Sequence, residues 1–267
     1  MGIAMSADTP PSGTSTWIAH SSAEMDPRLP EQGEAHLFLV SLIQPESVVE
    51  DLAATLTPDE HERAGRFRFD RDRRRFIVAR GRLRQCIGRY VGIPADAIRF
   101  DYGPFGKPRL SSDANQAKLE FSLSHSEDWA LAGFARGQAI GVDLEAIRAI
   151  ADYRDLAESN FAPVETTALL KLPADQQIDG FFACWTRKEA YVKALGLGFS
   201  LDLSSFVVRV EPREGVETIA ATQTAAAHQV WGMRPLAGFW AAVALENPAA
   251  AMEPPKIRLA TYSGLAT

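Results

Sequence analysis

The order of helix-forming and strand-forming segments predicts an α+β fold: two similar α/β halves packed as a pseudo-dimer with a cleft between them. Three observations predict it. A strand, a short proline-started helix, a long helix and further strands follow one another from residue 34, and the same order begins again at residue 139. The short helices open alike, on Thr57-Pro58-Asp59-Glu60 in the first pass and Ala162-Pro163-Val164-Glu165 in the second. With Gly92 laid on Gly196, the long helices match Arg84 to Lys188 and Arg89 to Lys193, but Gln85 to Glu189, so the carboxylate exists in one copy only. The expected divisions are a flexible leader over 1–33, an N-terminal half over 34–138, a C-terminal half over 139–248 and a tail over 249–267. The asymmetric cleft between the halves is the expected ligand site.

Each element has a local reason. Residues 1–33 are rich in Ser, Thr, Pro and Ala without a period, the composition of a flexible segment. The run H-L-F-L-V-S-L-I over 36–43 reads as a strand, and Thr57 as N-cap with Pro58 in the first turn opens a short helix. A longer helix over 71–90 buries Phe76, Ala79, Leu83 and Ile87 at helical spacing. Strands are expected over 98–102, 119–124 and 129–135, then over 140–144 as the second pass begins. The Pro163 helix follows, then a helix from about Phe181 that stops at Gly196, then strands over 206–210, 229–233 and 238–245. After Pro248 no period is clear.

Composition limits the function classes. The chain has 267 residues and a net charge of −6, which fits a soluble globular protein and argues against a general nucleic-acid binder. Eleven arginines lie between Arg63 and Arg89, but Asp59, Glu60, Glu62, Asp70 and Asp72 dilute them into a solvated helix face, some of which can still serve a phosphate. Cys86 and Cys184 sit in apolar helical patterns without metal-ligand spacing and read as buried thiols of a cytoplasmic protein. No run approaches the roughly 18 apolar residues of a membrane span, and no export signal is recognisable.

The chemistry-bearing residues fall in four places. In F-F-A-C-W-T-R-K-E-A-Y-V-K-A-L-G over 181–196, Phe181, Trp185 and Val192 form an apolar stripe with Glu189 inside it and Lys188 and Lys193 on its flanks. A carboxylate there needs a partner, and the set suits either an anion carrying its own metal or a core helix with a Glu189–Lys193 i,i+4 pair. In A-I-G-V-D-L-E, alternation sends Val142 and Leu144 to one face and Gly141, Asp143 and Glu145 to the other. Two acids so placed either share a divalent cation or are solvated at a strand end. The loop G-P-F-G-K-P presents Lys107, as a phosphate-binding turn or an ordinary one, and Ser124-His125-Ser126 ends a strand with three hydrogen-bonding side chains together. No G-x-S-x-G elbow appears, so no Ser-His-Asp hydrolase is implied.

Taken in order, G-K-P, S-H-S, G-V-D-L-E and W-T-R-K-E-A-Y-V-K resemble the 4′-phosphopantetheinyl transferases, in particular their long, Sfp-type branch, over about residues 56–206. The resemblance implies Mg²⁺-dependent transfer of the 4′-phosphopantetheine arm of coenzyme A to a serine of an apo acyl or peptidyl carrier protein, releasing adenosine 3′,5′-bisphosphate. It implies Asp143, Glu145 and Glu189 as metal ligands, Glu189 also as acceptor of the serine proton, and Lys193 as the group that stabilises the leaving phosphate. Lys107, Ser124, His125 and Lys188 match positions that hold coenzyme A phosphates. Glu60 stands where the family can carry a lysine, which leaves Arg63 as first choice for the 3′-phosphate, with Arg75 and Arg80 behind it. Trp185 is expected to pack beneath the site. The doubled length implies a monomer with one cleft, and the carrier's acidity implies steering by arginines of the 66–84 helix face. Two other readings compete: an Mg²⁺-dependent pyrophosphatase of coenzyme A or nucleotides, and a non-catalytic carrier-binding relative.

Overall fold

The computed structural model describes residues 17–21, 28–219, 226–247 and 256–262. One sheet runs β1 (Trp17–Ser21), β11 (Lys256–Tyr262), β2 (Glu34–Ser41), β6 (Trp129–Arg136), β5 (Leu119–Ser126) in spatial order. β11 is parallel to both its neighbours, and the β2–β6–β5 pairs are antiparallel. The second sheet, β7 (Ile140–Ala146), β10 (Phe239–Asn247), β9 (Ala227–Met233), β8 (Gly215–Ile219), is antiparallel throughout. A small ribbon joins β3 (Phe100–Tyr102) to β4 (Pro108–Leu110). The helices are α1 (Glu46–Ala53), α2 (Pro58–Gly65), α3 (Asp70–Val91), α4 (Tyr153–Asn160), α5 (Pro163–Lys171) and α6 (Gln177–Leu195).

Period-two alternation fixes the layers. Phe38, Val40, Phe121 and Phe134 point from the first sheet into a core with Leu52 of α1 and Ile77, Leu83 and Ile87 of α3. Leu37, Leu39 and Leu131 point the other way, against Val142, Leu144, Trp231 and Val243 of the second sheet. Trp240, Ala242 and Ala244 then meet Phe182, Ala190 and Tyr191 of α6 on the second sheet's far face. With both faces covered, β10 reads F-W-A-A-V-A-L, a continuous apolar run. Both long helices end on a left-handed glycine, Gly92 at φ 69° and Gly196 at φ 68°.

A buried carboxylate and a buried cation tie each short proline-started helix to its long one. Glu60 accepts from the Thr57 amide at 2.9 Å, pairs with Arg80, and meets Nη1 of Arg84 at 2.8 Å. Arg84 spends its other donors on the carbonyls of Ala95 and Ile98. Burial works to raise the Glu60 carboxyl, but the Thr57 amide and the two guanidiniums prevail and hold it below its ordinary value. In the second pass Glu165 accepts from the Ala162 amide at 2.7 Å and meets Nζ of Lys188 at 2.7 Å, while Lys188 donates to the carbonyls of Leu203 and Phe206. The arginine-rich stretch is therefore a solvated face in its first turns and again at Arg89, while Arg80, Arg82 and Arg84 between them are buried.

Several expectations change. Residues 206–210 form no strand, because side chains take the backbone groups a ladder would use. Glu165 accepts from the Val208 amide and Glu217 from the Arg209 amide, while Lys188 and Arg187 donate to the carbonyls of Phe206 and Arg209. β1 and β11 lie in the segments read as leader and tail, and residues 1–16, 22–27, 248–255 and 263–267 lie outside the described residues. β1 is a five-residue edge strand paired only with β11, whereas β11 is paired on both sides, and neither shows a clear alternation in sequence. Cys86 and Cys184 are buried free thiols, as expected.

Glu34 at the start of β2 gathers Arg28, Arg258 of β11 and His36, whose Nδ1 lies 2.8 Å from the Tyr90 hydroxyl. Burial, aided by Arg28 and opposed by Glu34, brings His36 from 6.5 down to about 4. Its stabilising contribution is complete above pH 6.5 and is lost as pH falls to about 4, because the unfolded chain takes a proton that the folded imidazole refuses. Urea unfolding across that window should lose about 3 kcal/mol from this group. The His36→Gln variant should show a correspondingly flatter pH dependence.

Candidate active site

A cavity of about 660 Å³ opens between the two helix-bearing layers. Arg63 of α2, Phe76 and Arg80 of α3, the hairpin from Tyr102 to Pro108 and His125 of β5 contribute from one side. Trp185, Glu189, Val192 and Lys193 of α6, with the turn from Gly196 to Leu203, contribute from the other. Trp185 stacks on Phe181 at 5.8 Å between ring centroids, which agrees with a packing role at the cavity wall.

The acids of β7 are presented where the two sheets touch edge to edge. Ser122, Ser124 and Ser126, alternate residues of β5, all turn toward β7. Ser122 Oγ accepts from the Val142 amide at 3.1 Å and Ser126 Oγ from the Ala146 amide at 3.0 Å. Ser124 Oγ donates to Asp143 Oδ1 at 2.9 Å, and Ser126 Oγ to Glu145 Oε2 at 3.0 Å. On the other side α6 lies so close to β7 that a Cβ on Gly141 would stand 2.0 Å from the Ala190 carbonyl. That approach brings Lys193 Nζ to 2.6 Å from Asp143 Oδ1 and 3.0 Å from Ser124 Oγ.

Asp143 is the centre of this arrangement. Burial and the nearby Asp143 charge both push Glu145 and Glu189 above the ordinary carboxyl value, and Lys193 pulls each of them back. Asp143 Oδ2 is buried with no hydrogen-bond partner. Among the described residues no group of three or more His, Cys, Asp or Glu stands in a metal-ligating arrangement. An orphaned carboxylate oxygen amid mutually repelling acids is nevertheless a donor set that a hard divalent cation fits.

The predicted phosphate ligands separate into groups. His125 and Arg63 line the cavity, Arg63 with its guanidinium 5.3 Å from the Phe76 ring centroid. Burial, then Lys193, Arg75 and Arg63, lower His125 below its ordinary value. Lys107 also lines the cavity, but its ammonium donates to the carbonyls of Ile140 and Ala194 at 3.0 and 3.1 Å, and burial lowers it to about 8. Ser124 is buried and committed to Asp143 and Lys193, so it does not face the cavity as a phosphate donor. Lys188 is wholly buried and satisfied by Glu165 and two carbonyls, and its assignment as a phosphate ligand is corrected. Arg75 is bound to Asp128, and Arg80 to Glu60 and the Tyr102 hydroxyl. Glu60, read as a departure in an anion site, is the buried partner of Arg80 and Arg84.

Sequence reasoning missed Glu165. The signal was present: both proline-started helices carry glutamate three residues after the cap, and the helix superposition pairs Arg84 with Lys188. Lys188→Met should cost about 3–5 kcal/mol in urea unfolding by leaving Glu165 buried without its cation, and the Glu165→Gln/Lys188→Met double variant should recover much of that loss.

Comparison with known proteins gives a consistent picture. A family model described as the 4′-phosphopantetheinyl transferase superfamily matches residues 139–244, and one described as 4′-phosphopantetheinyl transferase, N-terminal, matches residues 44–135. The chain is 42% identical over 212 residues to the 4′-phosphopantetheinyl transferase HetI of Nostoc sp., covering 79% of this chain and 87% of that protein. It is 32% identical over 206 residues to the 4′-phosphopantetheinyl transferase psf-1 of Bacillus pumilus, covering 76% and 84%. It is also 32% identical over 155 residues to the 4′-phosphopantetheinyl transferase Sfp of Bacillus subtilis, covering 58% and 66%.

Proposed function

The chain belongs to the 4′-phosphopantetheinyl transferase family, and from that premise we propose how its cleft performs Mg²⁺-dependent transfer from coenzyme A to a carrier-protein serine, with adenosine 3′,5′-bisphosphate as the second product. The enzyme class and the transfer of phosphopantetheine to carrier proteins follow from membership. The metal, the leaving group and the residue roles are our reading. The observation that carries it is Asp143, buried between Lys193 and two further carboxylates with one oxygen unmatched.

Asp143, Glu145 and Glu189 are the residues that would hold the ion. When bound, Mg²⁺ supplies positive charge to the diphosphate oxygens as negative charge builds on the leaving phosphate. Glu189 lines the cavity, and its raised affinity for a proton suits it to accept that of the attacking serine hydroxyl. Lys193 shares the cavity wall and offers an ammonium to the departing phosphate. Arg63 and His125 are the cavity-lining groups left to meet the nucleotide phosphates, and Lys107 also lines the cavity. Ser124 and Ser126 orient the acids.

The cleft belongs to a pseudo-duplicated chain in this reading, with halves over 34–138 and 139–248 and a single active site in a monomer. The repeated carboxylate–cation ties, Glu60 to Arg84 and Glu165 to Lys188, and the matching glycine caps support it. Steering of an acidic carrier by the arginine face is retained for its first turns only, where Arg66, Arg73 and Arg74 already have acidic partners.

An apo carrier protein incubated with coenzyme A, Mg²⁺ and this protein should gain the phosphopantetheine mass on its serine. Cleavage of coenzyme A without a modified carrier would identify a pyrophosphatase, and no reaction a binding relative. Asp143→Asn and Glu189→Gln should each fold normally and lose about 10²-fold or more in transfer rate. A near-normal rate in either would remove that residue from the mechanism.

A further inference from the structure

Lys188 and Lys193 lie on the same helix and each meets a buried carboxylate, but only one of them can leave. Lys188 is fully enclosed, with its ammonium on Glu165 and two carbonyls. Lys193 keeps 32% of its side chain exposed, lines the cavity, and makes two contacts, with Asp143 Oδ1 and with Ser124 Oγ. Ser124 donates to the same Oδ1, so that oxygen is saturated while Oδ2, equally buried, has no donor. A pair designed only to neutralise Asp143 would be expected to engage both oxygens. This one leaves half of the carboxylate unmatched and sets its cation on a flexible stem at the edge of open space.

We propose that the Lys193 ammonium is a stand-in counter-ion for Asp143, which a divalent cation displaces, and that its release turns Lys193 into the cavity to meet the diphosphate. The inference rests on the assignment of Asp143 as a metal ligand. A buried carboxylate left alone would be costly, so a resident cation keeps the site folded before the ion arrives. The ion must take Asp143 from the lysine, which weakens its binding to the free enzyme. Lys193 becomes available to a phosphate only once it has done so, and by linkage an anion that captures Lys193 strengthens ion binding in return.

Calorimetric titration of the full chain with Mn²⁺ alone, without coenzyme A, tests this on the wild type and on Lys193→Met, Asp143→Asn and Arg63→Gln. Lys193→Met should bind Mn²⁺ about tenfold more tightly than wild type. Its metal-free form should melt below wild type, with the gap closing at saturating Mn²⁺; Lys193→Gln repeats the measurement should the methionine variant not fold. Arg63→Gln removes a cavity cation that does not touch Asp143 and should leave the affinity within about twofold. Unchanged or weaker binding by Lys193→Met, or an equal gain in Arg63→Gln, overturns the stand-in while leaving Asp143 as a ligand if Asp143→Asn still abolishes binding. Mn²⁺ binding indifferent to Asp143→Asn overturns both.

Discussion

A buried glutamate that caps a short helix and neutralises a cation on a long one is the contact from which the rest of this structure follows. Ion pairs removed from water are stabilising only when further hydrogen bonds meet the remaining lone pairs and protons, and here backbone amides and carbonyls supply most of them. Glu165 uses one carboxylate for the Ala162 amide, the Val208 amide and the Lys188 ammonium at once. The consequence is positional. Lys188 is pinned to the carbonyls of Leu203 and Phe206, so the neighbouring Glu189 has its direction set by a residue enclosed in the core. Arg84 is pinned in the same manner by Glu60, but the next residue is Gln85, which accepts from Arg82 instead. A repeated mechanical device thus sets a cavity-lining carboxylate beside it in one instance only.

The second constraint is the closeness of β7 to its neighbours on both sides. Serines at alternate positions of β5 bond to backbone amides and carboxylates of β7, joining the edges of two sheets through hydroxyls rather than a ladder. A hydroxyl can both donate and accept, as that of Ser126 does, so Ser122 and Ser126 meet the Val142 and Ala146 amides while Ser124 and Ser126 meet the acids. On the helix side, only a glycine at position 141 lets the backbone of α6 approach as it does. These two contacts squeeze Asp143 between Ser124 and Lys193, which is why a carboxylate with little access to water lies beside a cavity that has much.

The sequence made the elements legible where period and caps agree. The α3 and α6 helices, the glycine stops and the alternation that separates Val142 and Leu144 from Asp143 and Glu145 were all readable, because each is a local property. Residues 206–210 were not, since an extended, apolar stretch resembles a strand until its amides and carbonyls are claimed by Glu165, Glu217, Lys188 and Arg187 from elsewhere in the chain. Ser124 illustrates the same limit at the site. The motif S-H-S marks three polar groups at a strand end, but strand alternation turns the serines to the seam and leaves only His125 at the cavity.

The three lysines show why residue type could not settle role. All three meet backbone or carboxylate oxygens near α6, and residue type alone does not tell them apart. Lys188 is enclosed and matched by Glu165, so it has no charge to offer a ligand. Lys107 arrives from the β3–β4 hairpin and donates to the Ala194 carbonyl, at the negative end of the α6 dipole, and to the Ile140 carbonyl at the head of β7. It therefore clamps the two elements that bear the acids, and Gly196 accommodates it, since a Cβ there would stand 3.2 Å from the lysine stem. Lys193 alone combines a carboxylate partner with exposure to the cavity. What distinguishes the three is the number of acceptors already engaged and the space left to move, and both are properties of the packed chain.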